Sequence, residues 1–149
     1  MNHWLMKSEP EECSVDDALA APNATVPWVG VRNYQARNFM RDAMRLGDGV
    51  LFYHSSCAEP GIVGIARVAS AAYPDPTQFD PTSPYFDAAA QPDAPRWLLV
   101  DVQVLRKIPT ITLPQLRARP ELGELLVLKK GNRLSITPVA PQHWQALVG

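Results

Sequence analysis

Between Trp28 and Phe39 the chain reads WVGVRNYQARNF, which sets two Arg, two Asn and one Gln among Trp28, Tyr34 and Phe39. Trp28 and Tyr34 offer flat faces on which a planar ring can stack. Asn33 carries one donor and one acceptor for a base edge, and Arg32 can reach a phosphate or a carbonyl. Gly30 lets the backbone come close to a ligand, and a helix beginning after Asn33 would aim its free N–H groups the same way. The plainer alternative makes Trp28 and Phe39 core residues, Asn33 a helix cap and Arg32 a surface charge. Arg37, Arg41 and Arg45 follow at helical spacing. One helix face would carry all three, either as a solvated face or as a track for phosphates.

Catalytic patterns are scarce. Lys7, Ser8 and Glu9 form a polar trio in which a Lys and a Ser could act as base and nucleophile, but nothing in the sequence orients them so. His3, His54 and His143 are scattered, with no GxSxG or HExxH around them. No catalytic residue is assigned. The two cysteines, Cys13 and Cys57, are not closely spaced, and no His set has ligand spacing, so neither a disulfide framework, a metal nor any other cofactor is expected.

These residues must be held by a chain of 149 residues, long enough for one domain with a core drawn from its 46% apolar residues. A net charge of -1 excludes a polybasic protein that grips phosphate by bulk charge, so any nucleic-acid contact has to be local. The start, MNHWLMKSEPEE, lacks a basic, apolar leader, and no apolar run approaches ~20 residues. A soluble protein of the cytoplasm is expected, with no membrane partner.

HWLMK predicts a buried strand, SVDDALAA a short helix capped by Ser14 with Asp17, and the stretch after Asn33 a helix running to Gly47. GVLFYHSS and GIVGIARVASAAY predict a hairpin, with Tyr53 and Ser55 on one face of its first strand. Six prolines between Pro74 and Pro95 predict a long surface loop. RWLLVDVQVLRKI alternates, with Leu98, Val100, Val102 and Val104 on one face. Two short helices, one capped by Thr112 and one opened by Pro120, then a brief strand and a last helical turn complete the chain. Strands mixed with short helices, without βαβ units or GxGxxG, give an α+β domain built on a small mixed sheet or barrel.

WLMKSEP, WVGVRNYQARNFM, VLFYHS and GIVGIARV in that order, then WLLVDV and RLSITPV, resemble the EVE domain over nearly the whole chain. The resemblance implies a PUA-like pseudo-barrel of mixed strands flanked by short helices, akin to the YTH and ASCH domains. It also implies a nucleic-acid-binding module that reads a modified base, foremost modified cytosine in DNA. The alternatives are a reader of modified RNA and a small ASCH-like nuclease or hydrolase with Lys7 and Tyr53 as reactive groups. Carried over by position, Lys7, Ser8 and Glu9, then Trp28, Val31, Arg32, Asn33 and Tyr34, then Tyr53, His54 and Ser55 are expected around the base, with Arg133 and Ser135 bordering the cleft. The 149 residues leave no room for a nuclease beside such a domain, so a stand-alone bacterial reader is expected, open to a downstream effector protein.

Overall fold

The computed structural model describes all 149 residues. Strand β1 (His3–Ser8) buries Trp4, Leu5 and Met6 in succession, as a strand covered on both faces must. It lies between β3 (Gly49–His54), to which it is parallel, and the antiparallel β8 (Ile136–Pro138). β3 forms the expected hairpin with β4 (Gly61–Val68), and β4 pairs with β7 (Asp101–Thr112), which pairs in turn with β2 (Thr25–Pro27). The order across the sheet is β2-β7-β4-β3-β1-β8.

Irregular register at Phe52/Tyr53, Ile62/Gly64 and Ile65/Ala66 adds twist, and the six strands curl into a half-barrel. The inner face holds Trp4, Met6, Val50 and Phe52 with Trp28, Val31 and Met40. The outer face holds Leu5, Leu51, Tyr53 and Ile62 against Leu116, Leu122, Leu125 and Val139. β2 and β8 are the two edges. Each is three residues long and ends in a proline, Pro27 and Pro138, so neither extends a ladder to the other and the barrel stays open between them.

The helices are short. α1 (Pro10–Cys13) precedes α2 (Val15–Ala20), where Ser14 and Asp17 complete the predicted capping box. α4 (Leu113–Arg117) is boxed by Thr112 and Gln115, and α5 (Pro141–Val148) opens on a proline. Three expectations are corrected. The helix after Asn33 is α3 (Tyr34–Asn38), which widens into a π-turn over Phe39–Ala43 and stops at an extended Met44. The segment from Pro120 is not one helix but two 3-10 turns, Pro120–Leu122 and Leu126–Leu128, because Leu122 and Leu125 are both drawn into the outer-face core. The alternating strand is split: β6 (Leu98–Leu99) pairs with β5 (Tyr73–Pro74) in a separate ladder, so Leu99 is buried and Leu98 only half so.

The proline-rich excursion is more than surface. Asp75 and Gln78 are fully buried. The Gln78 amide donates to the carbonyls of Asp75 and Trp97 at 2.7 Å and accepts from the N–H groups of Arg96 (3.0 Å) and Trp97 (2.9 Å), zipping the two ends of the excursion together. Buried polar groups that all find partners give an irregular segment a fixed shape.

Candidate nucleic-acid interface

The opening between the edges of the half-barrel is a cavity of 570 Å³, within the roughly 300–1,000 Å³ usual for a small-molecule site. The ends of β1 and β2, the exit of β3 and the approach to β8 converge on it. Of the residues expected around a base, Lys7, Ser8, Glu9, Trp28, Val31, Ser55, Arg133 and Ser135 line it. Trp28 and Val31 are buried and form its floor, while Glu9 and Arg133 stand exposed at its mouth. Trp28 is only 6% exposed, and its ring packs edge to face with Phe52 with centroids 5.0 Å apart, so little of it is open to the cavity.

Five of the expected residues lie outside the lining, each with another occupation. Arg32 donates from Nε and Nη2 to the Tyr85 carbonyl (3.1 and 2.8 Å), from Nη1 to Asp75 (3.1 Å) and the Val31 carbonyl (3.0 Å), and from Nη2 to Thr77 Oγ1 (3.0 Å). It fastens the proline-rich excursion to the loop after β2. Asn33 caps α3, its Oδ1 accepting from Ala36 N–H at 3.0 Å. Tyr34 stacks on Trp97 at 4.8 Å, and the Arg37 guanidinium lies over the Tyr34 ring 4.7 Å from its centroid. Tyr53 is buried in the outer-face core, and because β3 ends at His54, Ser55 turns to the cavity instead of sharing Tyr53's face. Tyr53 therefore does not line the cavity, although Lys7 and Tyr53 are register partners across β1 and β3. His54 Nε2 accepts from Val15 N–H at 3.1 Å, which requires that nitrogen to be unprotonated; burial also holds the imidazole pKa below its ordinary value.

The arginine row is not a row. Arg37 bonds the Asn38 side chain and the Arg96 carbonyl, Arg41 pairs with its neighbour Asp42, and Arg45 lies past the helix end. The π-turn breaks the spacing that would have aligned them.

Glu12, Cys13, Val26, Pro27, Val29, Gly30, Ser56 and Tyr85 complete the lining. Gly30 has φ +85, and a Cβ there would fall 2.6 Å from the Tyr85 ring, so only glycine allows that ring to lie on the loop. Tyr85 comes from the proline-rich excursion, some distance along the sequence from every other lining residue, and no local spacing announces it. Its hydroxyl donates to the Glu12 carboxylate; burial and then that bond push its pKa up to about 12.

Lys7 is half-buried and takes part in none of the ion pairs, and burial lowers its pKa. With Lys7 and Arg133 as well as Glu9 and Glu12 in it, the lining has donors, acceptors and charges of both signs. Such a lining suits a neutral heterocycle with a polar edge better than a phosphate. No group of three or more His, Cys, Asp or Glu side chains could hold a metal ion.

The EVE domain family model matches residues 2–149. The chain belongs to the EVE family. It is 43% identical to human thymocyte nuclear protein 1 over 96% of its own length and 71% of that protein, and 43% identical to the chicken protein, of which it spans 65%. A Pseudomonas putida protein of solved structure is 50% identical, with a TM-score of 0.92 over 98% of this chain and 97% of that one. Human THYN1, solved in complex with DNA containing 5-methylcytosine, is 41% identical, with a TM-score of 0.93 over 99% of this EVE protein and 96% of that chain. The mixed α+β half-barrel is thus the fold of the THYN1 EVE structures.

Proposed function

We propose that this EVE protein is a non-catalytic reader that takes one modified base, 5-methylcytosine in DNA foremost, into the cavity between β2 and β8. The observation that carries the reading is the likeness, at TM-score 0.93, to a relative solved with 5-methylcytosine DNA. The cavity's size, its apolar floor at Trp28 and Val31 and its polar walls support it. A methyl group gains from an apolar floor, and a base edge needs donors and acceptors such as Lys7, Ser8, Ser55 and Ser135 supply. No helix is long and apolar enough to cross a membrane, and a reader of this kind works wherever nucleic acid is in reach.

The test is a panel of matched oligonucleotides, DNA and RNA, single- and double-stranded, each with cytosine or a modified cytosine, titrated at one salt concentration. Tighter binding to the methylated DNA supports the reading. Preference for the RNA members moves the substrate to RNA, turnover of any member makes the protein an enzyme, and equal affinity throughout overturns the reader.

The positions of the side chains set two expected results. Asn33→Ala removes the α3 cap and costs about 1 kcal/mol in chemical denaturation, while preference for the modified base stays as it was. Arg133 is exposed at the cavity mouth and Lys130 is exposed shortly before it in the chain, which makes these two the candidates for contact with the backbone of a bound strand. Lys130→Gln with Arg133→Gln lowers the slope of log affinity against log salt by about 0.7 to 0.9 for each phosphate no longer neutralised, whereas Arg37→Gln with Arg41→Gln leaves it unchanged.

A further inference from the structure

A base stacked in duplex DNA cannot reach a cavity sunk between two sheet edges. It must be turned out of the helix, and the unstacked gap it leaves costs a few kcal/mol. Proteins that open base steps often fill the gap with a rigid apolar side chain. The mouth of this cavity carries Glu9, Glu12, Pro27, Val29, Ser56 and Arg133, all exposed. Only Pro27 and Val29 among them are apolar, and Pro27 is committed to β2, paired with Asp101.

Val29 is different. It lines the cavity yet keeps 37% of its surface exposed, and no core cluster includes it. The backbone beneath it is fixed at three consecutive N–H groups: Trp28 donates to the Val100 carbonyl (3.0 Å), Val29 to the Pro27 carbonyl (3.1 Å) and Gly30 to the fully buried Asp75 carboxylate (2.8 Å). The Tyr85 ring lies directly against Gly30. A β-branched side chain has little rotamer freedom of its own. Val29 is therefore an apolar point that can neither sink into the core nor swing aside.

We propose that Val29 is the wedge that enters the base stack of duplex DNA and holds the step open while the modified base occupies the cavity. This rests on the base-reader reading above. Val29 is a positioning residue: it touches the bases flanking the target and leaves recognition of the target to the cavity. The carboxylates of Glu9 and Glu12 at the same mouth repel phosphates, which leaves the Arg133 side for the strand backbone and the Val29 loop for the stack.

The experiment compares wild type, Val29→Ser and Val29→Met by fluorescence polarisation on two probes: a duplex with one 5-methylcytosine paired to guanine, and the methylated strand alone. Val29→Ser is expected to bind the duplex about tenfold more weakly, the equivalent of the loss of a modest part of the unstacking compensation. On the single strand, with no stack to hold open, it changes by less than about twofold. Val29→Met keeps an apolar wedge and stays near wild type on both probes. Equal loss on the two probes makes Val29 an ordinary wall of the cavity and overturns the wedge, as does an unweakened duplex complex. Failure of the reader itself is seen separately, in a wild type that binds methylated and unmethylated single strands alike. Melting curves of the variants serve as the folding control, since Val29 belongs to no core cluster.

Discussion

Arg32→Ala is expected to cost about 3 kcal/mol of folding stability, at the lower end of the range for stranding one partner of a buried ion pair. The Asp75 side chain is entirely buried and Arg32 is 21% exposed, so solvent screens their 3.1 Å contact little. Without the guanidinium, Asp75 retains bonds from the Gly30 and Thr77 N–H groups and the Thr77 hydroxyl, which is why the loss is not larger. The Tyr85 carbonyl loses both its donors. Arg32→Lys does not rescue, because one ammonium cannot serve Asp75, Thr77 Oγ1 and the Tyr85 carbonyl together. The effect depends on pH. Burial alone would raise the Asp75 pKa, but its hydrogen bonds from Thr77, Gly30 and Arg32 outweigh that and hold it below the ordinary 3.8. The carboxylate's contribution is therefore complete above 3.8 and fades as the pH falls through its folded value. Urea melts at neutral pH should show the full gap between wild type and Arg32→Ala, and melts in stronger acid a smaller one.

The second large effect belongs to Trp28. Trp28→Ala removes a side chain 6% exposed from the inner-face core and takes away its edge-to-face packing on Phe52. A loss of about 3–5 kcal/mol is expected, on the order of 10 °C in melting temperature for a chain of this size. The same residue is the cavity floor, so affinity falls for every base, but stability and binding would be confounded in that variant. Trp28→Phe separates them, because an aromatic ring remains against Phe52 and the cavity left is smaller. If the floor contacts the base, Trp28→Phe weakens modified and unmodified probes together while its melting temperature falls less than that of Trp28→Ala. Binding that is unchanged in Trp28→Phe returns Trp28 to the core alone.

Much of the framework is legible in local sequence. Trp4-Leu5-Met6 and Val50-Leu51-Phe52 are apolar without alternation because both faces of β1 and β3 are covered, and Ser14 with Asp17, Asn33 and Thr112 cap helices through bonds made within three residues. What is not legible depends on distant partners. The spacing after Asn33 promises a continuous helix, but the π-turn at Phe39–Ala43 is set by packing of Met40 and Met44 into the inner-face core. Arg32 has the chemistry of a ligand contact, and only the fold shows that it is consumed by Asp75 and Tyr85, over 40 residues away. Tyr85 carries no motif and joins the cavity because the Gln78 zipper folds the proline-rich excursion back onto the loop after β2, while Val29 lies within WVGVRNYQARNF but its residue type gives no sign of its exposure at the mouth.

A plug tests directly whether the methylated base sits in the cavity between β2 and β8. Ser135 is half-buried in the wall and belongs to neither core cluster, so Ser135→Phe would fill the space above the Trp28 and Val31 floor without removing a core side chain. The measurement is the affinity ratio for 5-methylcytosine over cytosine in one single-stranded DNA, for wild type and Ser135→Phe, with circular dichroism to show that both are folded. A ratio of about tenfold or more is expected in wild type, the scale of one methyl in an apolar pocket, and a ratio near one in the plugged protein. A folded Ser135→Phe that keeps the wild-type ratio would contradict it.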